Sequence, residues 1–211
     1  MAVSRQAIST RQRGARAGVR WGVEQSGQSL VEFIIGSIVL MLLLSGLLDF
    51  GRVFFYDVGI HGAAYAGARH GVWFDTGSHQ NRYLDDADIT LAVNRGLTGA
   101  GLASVSGPQG TCPVGLDNSV NDPPYASNVY PTGLNAAYLY ICYTRPGGSP
   151  IGTLTTAPGP FDASWRLGDV NVIVLFNYGL VTTFMQSTLN AVGGIHVASN
   201  AHFTVQGGGS Q

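Results

Sequence analysis

The chain has 211 residues, a formal net charge of −1 and only 11% charged residues, against roughly 25% in an ordinary soluble domain. This length allows one domain of usual size plus a membrane segment. Its 30 glycines follow no G-X-Y period, which excludes collagen and points to turns and close backbone contacts.

The near-neutral total conceals a division along the chain. Residues 1–27 hold Arg5, Arg11, Arg13, Arg16 and Arg20 against Glu24, about +4, while residues 28–211 come to about −5. All the basic side chains other than His are Arg, which reads as composition bias rather than function. A basic leader, an apolar run and an acidic remainder orient a membrane protein with its N-terminus in the cytoplasm and its C-terminal part outside. Nucleic-acid binding is another use of a basic arm. Here the arm has no aromatic interleaving beyond Trp21, and the apolar run follows at once, so no nucleic-acid partner is expected.

The apolar run reads FIIGSIVLMLLLSGLL from Phe33 to Leu48, and 11 of its 16 residues are Phe, Ile, Val or Leu. Together they favour insertion by roughly 3 to 7 kcal/mol, against about 3 for one ionised acid at mid-bilayer. Glu32 stands at the mouth of the run, where its cost is lower, so insertion wins. A single span over about 30–50 fits a hydrocarbon core about 30 Å thick. Aromatic residues at Phe54, Phe55 and Tyr56 suit the far interface. A buried core helix and a secretory signal are the competing readings. The second lacks a small-x-small cleavage site soon after Leu48.

Glu32 is the fifth residue after Gly27. A basic leader, a glycine, and a glutamate at the fifth following position of an apolar helix together resemble type IV prepilin-like proteins. Farther on, Asp49-Phe50-Gly51-Arg52 and Ala63-Ala64-Tyr65-Ala66-Gly67-Ala68-Arg69 resemble the TadE family of pseudopilins from the tight-adherence (Tad/Flp) pilus system. The likeness covers about residues 27–72, and the remainder agrees only in general plan. It departs from the family at Phe33, often Tyr there, at His61-Gly62, where Asn is usual, and at Ala66, usually an acid. The resemblance implies a leader, residues 1–27, cut between Gly27 and Gln28 by a membrane-embedded prepilin peptidase. It also implies that Glu32, with Phe33 beside it, serves assembly, the carboxylate meeting the new α-amine of an adjacent subunit. Other implied partners are pilin or pseudopilin subunits, an inner-membrane assembly platform and the lipid bilayer. An acid that snorkels to the headgroups without any partner is the alternative for Glu32. Asp-Phe-Gly at 49–51 does not indicate a kinase, because the chain has no Lys for the phosphates.

Residues 28–72 are expected to form one long hydrophobic helix, about 60 Å from Leu30 to Gly71 if unbroken. Gly51, Gly59 and Gly62 are places where it could bend. Asp49 and Arg52, three apart, can pair on one face near the outer interface. Gly59, Ala63, Gly67 and Gly71 recur every fourth residue and form a smooth stripe for close helix packing, on the chain's own sheet or on a neighbouring subunit.

Residues 73–211 are expected to form a small extracytoplasmic α+β head, pilin-like, with an antiparallel sheet. Asp85, Asp86 and Asp88 ahead of Ile89, Val93 and Leu97, with Gly99 behind, predict a helix over about 86–97. A Gly/Pro-rich loop follows to Gly133. Strands are predicted at 137–143, 169–178 and 195–205, with a weak one near 102–106 and a loop over 146–160. In the last strand Ile195, Val197, Ala201, Phe203 and Val205 face one way, while His196, Asn200, His202 and Thr204 face the other. Residues 180–190 suggest a short helix or turn, and 207–211 a frayed tail.

Cys112 and Cys142 lie beyond the apolar run, so outside the cytoplasm they would meet an oxidising compartment and bridge the loop to the middle strand. Two buried free thiols are the alternative. His196 and His202 are about 20 Å apart along a strand, too far to share a metal. No metal, cofactor or catalytic set is expected. The expected function is structural, a minor pseudopilin of the inner membrane. The alternative is an uncleaved, single-pass anchored binding protein that never polymerises.

Overall fold

The computed structural model describes residues 25–75, 80–117, 122–148, 150–151, 167–180 and 194–205. It is α+β, a long N-terminal apolar helix and a small antiparallel sheet. Residues 1–24 of the leader lie outside the described residues, as do 181–193 and 206–211, so nearly all of the short helix or turn expected over 180–190 and the frayed tail lie there as well. The chain divides into two compact units, Met1–Leu43 and Leu44–Gln211. From Leu44 onward the long helix falls in the same unit as the sheet.

Helix α1 runs unbroken over Gln25–Gly71. The sequence places up to three bends at Gly51, Gly59 and Gly62, and none breaks the helix. Each glycine costs a helix interior about 1 kcal/mol relative to Ala. Around Gly59 burial against the rest of the second unit offsets that cost, with Ile60, Ala63, Ala64 and Ala68 all fully buried. A two-residue hairpin follows, β1 (Phe74–Asp75) with β2 (Gln80–Asn81).

Helix α2 spans Asp86–Gly99. The Asp85 carboxylate caps it, accepting from the Asp88 N–H at 3.2 Å, and the acids of the first turn suit the helix dipole. Ile89, Val93 and Leu97 form its buried ridge. The helix outlasts its predicted end by two residues, because Gly99 stays helical and Gly101 makes the stop. Gly101 takes φ +73°, its N–H bonds Thr98 O at 3.0 Å, and Leu102 N–H bonds Leu97 O at 2.9 Å. That is a Schellman closure, and it needs the left-handed conformation glycine adopts freely.

The main sheet has the order β4-β3-β5-β6 and is antiparallel throughout. Its strands are β3 (Ala136–Thr144), β4 (Pro150–Ile151), β5 (Asp169–Tyr178) and β6 (Ile195–Thr204). The short β4 falls inside the stretch expected to be all loop. Pairing is in register from Ala136↔Asn177 to Thr144↔Asp169 and from Asp169↔Thr204 to Tyr178↔Ile195. Strand β5 is central and buried on both faces, which is why it reads as an almost continuous apolar run.

One sheet face, with Leu139, Ile141, Val170, Val172, Val174 and Phe176, packs under α1 and α2. Its opposite face, with Tyr140, Cys142, Ile173 and Leu175, is covered by Tyr125 and Tyr130 of the long loop. The alternation predicted for β6 holds, since Ile195, Val197, Ala201 and Phe203 join the helix-covered face.

No strand forms over residues 102–106. The Asn94 side chain takes both backbone groups of Val105 instead, accepting its N–H at 2.8 Å and donating to its carbonyl at 2.9 Å. A side-chain amide thus satisfies the polar groups that a neighbouring strand would have satisfied.

Candidate functional site

Three groups of residues singled out in the sequence lie along α1, and each meets a different environment. At its start, Gly27 and Gln28 are exposed and already helical, since α1 begins at Gln25. Any enzyme cutting between them must first unwind a first turn, the part of a helix held by fewest internal bonds. Glu32 is exposed among exposed apolar neighbours, with Val31 at 56% and Phe33 at 74%. A shallow depression of about 480 Å³ runs along Gly27, Gln28, Val31, Glu32 and Ile35. Gln28 and Glu32 are four apart and so lie one above the other on one helix face. An amine created at Gln28 would share that face with the carboxylate. The window of α1 between Gly27 and Gly71 that best fits a membrane span has a mean hydropathy of 2.4 and is 0% buried.

Asp49 and Arg52 stand near the end of the apolar run. Asp49 is 3% exposed, whereas Arg52 is exposed. Both act on the phenol of Tyr178 at the end of β5. Burial pushes that phenol's pKa up, Asp49 raises it further, and Arg52 opposes the rise. The Tyr178 ring lies 5.6 Å from the Tyr56 ring of α1. Of the aromatic cluster, Phe54 and Phe55 remain exposed, whereas Tyr56 is half-buried against Phe176 and Tyr178.

The small-residue stripe is occupied from within the second unit. A methyl added at Gly59 would sit 2.5 Å from Ala100 Cβ, and one at Gly71 would lie 2.9 Å from Ile89 Cδ1. At Gly67 it would overlap Val93 and come within 3.3 Å of Val172. Ala63 is fully buried. Of the two partners the sequence left open, the structure therefore places the chain's own α2 and β5 on the stripe. The complementary residue is Gly96 of α2, where a methyl would meet the Ala63 backbone at 2.7 Å. Sequence reasoning passed over Gly96, although it stands three residues after the ridge residue Val93, where close approach is easiest.

Cys112 and Cys142 are bonded as a disulfide, with Cα atoms 5.9 Å apart. The bridge ties the long loop to β3 on the sheet face away from the helices. His196 and His202 are engaged separately. His196 stacks on Tyr130 at 4.2 Å, and His202 Nδ1 lies 2.8 Å from Asp169 Oδ2.

The sequence also missed a buried polar cluster that fastens α2 to the sheet. Tyr83 is fully buried, donates to Asp169 O at 3.2 Å and stands edge-on to Tyr143 at 5.0 Å. The Tyr143 hydroxyl donates to Asp86 Oδ1 at 2.5 Å. Burial raises the Asp86 carboxyl to about 6; the Tyr143 hydrogen bond opposes the rise and the nearby Asp85 charge adds to it. This cluster holds structure together, and among the described residues no group of three or more His, Cys, Asp or Glu is placed to bind a metal.

Residues 27–69 match the family model described as TadE-like protein. No curated protein and no solved structure matches the chain. The family match covers Glu32, Asp49, Arg52, Gly59, Ala63 and Gly67 and stops short of both cysteines.

Proposed function

With residues 27–69 matching the TadE-like family model, we propose that this chain is a minor pseudopilin of a Tad-type pilus, processed by prepilin peptidase between Gly27 and Gln28. It works as a structural subunit and a peptidase substrate, not as a catalyst, and uses no cofactor. The basic leader stays in the cytoplasm, about residues 30–50 cross the inner membrane, and the disulfide-tied sheet domain lies outside. Its partners are the peptidase, other pilin or pseudopilin subunits, the inner-membrane assembly platform and the lipid bilayer. The role extends to adherence or secretion through the assembled fibre, where the subunit reaches the cell surface.

The observation that carries this reading is Glu32. Its carboxylate stands exposed in an apolar surface, one turn along the same face from the residue that would become the new N-terminus. An acid surrounded by hydrocarbon is costly, and a positive charge brought to it removes the cost. After cleavage the α-amine of an adjacent Gln28 supplies that charge only when the two helices are staggered correctly. The cost of the unpaired acid thus becomes a filter on assembly.

The test is the mature N-terminus and the fate of a Glu32→Ala variant in cells carrying the rest of the system. Intact-mass analysis should give a chain beginning at Gln28. Glu32→Ala should insert and be cut normally, yet be lost from sheared surface fibres. A chain keeping Met1 or Ala2 would support the anchored, non-polymerising alternative. Unchanged incorporation of Glu32→Ala would remove the role given to the acid.

A further inference from the structure

A groove of about 520 Å³ lies where α1 leaves the apolar run, between that helix and the residues that close α2. Leu47, Leu48, Arg52, Phe55 and Tyr56 of α1 line it, with Ala100 and Gly101 beyond the end of α2. Gly51 is also in the lining, and a methyl built there would meet nothing within 4 Å. A larger side chain there would project into open space. Arg52 is the one charged residue in the lining, because Asp49 is buried and does not reach it.

We propose that this groove binds a glycerophospholipid, its phosphate on the Arg52 guanidinium and the start of an acyl chain along Leu47 and Leu48. The proposal rests on the reading of residues 30–50 as a membrane span. From Leu30 to Phe50 the helix rises about 30 Å, the thickness of the hydrocarbon core. Arg52 therefore falls at the depth of the lipid phosphates, and Leu47 and Leu48 fall within the outermost hydrocarbon. The groove crosses that boundary in the same direction, from apolar walls to a cation. A guanidinium presents two parallel N–H groups to a phosphate and is weakly hydrated, which suits it to this contact at a partly dry interface. Neither water nor a second protein chain matches both ends so directly. Water cannot cover Leu47 and Leu48, at 68% and 71% exposed, and a protein partner would have to supply an acid at the level where lipids already present phosphates.

The test uses the full chain in nanodiscs of phosphatidylcholine containing phosphatidylglycerol. Lipid retained on the protein is read by native mass spectrometry after release. Flotation with the bilayer is checked first for every variant. Wild type should keep one phosphatidylglycerol. Arg52→Gln should lower the bound fraction roughly tenfold, the scale of losing a charge-assisted hydrogen-bonded pair. Gly51→Leu, which adds a side chain to the lining without touching the charge, should lower it as well. Arg95→Gln removes an exposed cation from α2 and should leave it unchanged. Retention by Arg52→Gln equal to wild type, or equal loss with Arg95→Gln, would overturn the site while leaving the membrane reading intact. A protein pair released without lipid would overturn it in favour of a second copy. A wild-type chain that does not float with the bilayer would bring down the membrane reading and the site together.

Discussion

Exchanging glycine for alanine at two places in the helices should move stability in opposite directions. Gly62 of α1 is exposed, and a methyl there meets nothing within 4 Å. Gly62→Ala should therefore show only the gain in helix propensity, about 0.5–1 kcal/mol. Gly96 of α2 gains the same propensity, but its new methyl would stand 2.7 Å from the Ala63 Cα and 3.3 Å from the Ala63 nitrogen. These are backbone atoms of a fully buried residue and cannot rotate away. Overpacking of that kind costs about 1–3 kcal/mol, so the net change for Gly96→Ala should be a loss of about 1–2. For a domain of this size 1 kcal/mol shifts the melting temperature by about 2–4 °C. Gly62→Ala should thus melt about 1–4 °C above wild type and Gly96→Ala about 2–8 °C below it. The assay is thermal unfolding of the full chain in detergent, followed by near-ultraviolet circular dichroism of the buried tyrosines. If both variants shift the transition in the same direction by the same amount, α1 and α2 do not meet at Ala63 and Gly96. The smooth stripe would then be free for another subunit.

Two further outcomes concern the sheet domain. Replacing both cysteines by serine opens a bridge spanning 30 residues and should cost roughly 3–4 kcal/mol in the chain-entropy model, read as a fall in the denaturant midpoint of non-reduced protein. Asp86→Asn should change how stability depends on pH. The folded carboxyl titrates at about 6 against 3.8 for the free group, so its favourable contribution is complete below about pH 4 and disappears as pH rises through 6. Wild type should therefore gain about 1–2 kcal/mol on Asp86→Asn when pH falls from 7 to 4, a figure reduced from about 3 because the residue as a whole is only partly buried and its charge is partly screened. Urea unfolding of both proteins across that range checks it, and parallel curves would mean that Asp86 is not buried in its charged form.

How much could be read in the sequence depended on whether the partner of a residue was local. The boundaries of β5 matched at both ends, because Val170, Val172 and Val174 alternate without help from anything distant. The start of α2 matched because Asp85 caps a backbone only three residues away. Its end did not, since Gly99 and Gly101 are equally plausible stops until one of them takes a positive φ. The strand expected near Val105 failed because Asn94, eleven residues earlier, captures that backbone with its side chain, and no pattern in the segment itself announces this. At the candidate site the same rule applies. The fourfold spacing of Gly59, Ala63, Gly67 and Gly71 was visible, but Gly96 and Val93, which meet it, lie on another helix. The Tyr83, Tyr143 and Asp86 cluster was invisible because its members are joined across about sixty residues of chain.

The two acids of α1 are accommodated in different ways, and the difference bears on what the helix can still do. Asp49 is buried within the unit that also buries the stripe from Gly59 to Gly71. Those features are therefore already used in holding one chain together, and a neighbouring subunit could reach them only by opening the α1–α2 contact. From Leu30 to Phe55, by contrast, large apolar side chains remain widely exposed, far beyond what a soluble monomer leaves uncovered. Lipid can cover all of them, but it offers Glu32 no positive charge at hydrocarbon depth. Of the whole α1 surface, the part around Gly27, Gln28 and Glu32 is where a second copy or a related subunit adds something that neither the bilayer nor the chain's own sheet provides. Under the proposed function, assembly specificity is for that reason expected in the first two turns after Gly27, and variants in the stripe should alter stability before they alter assembly.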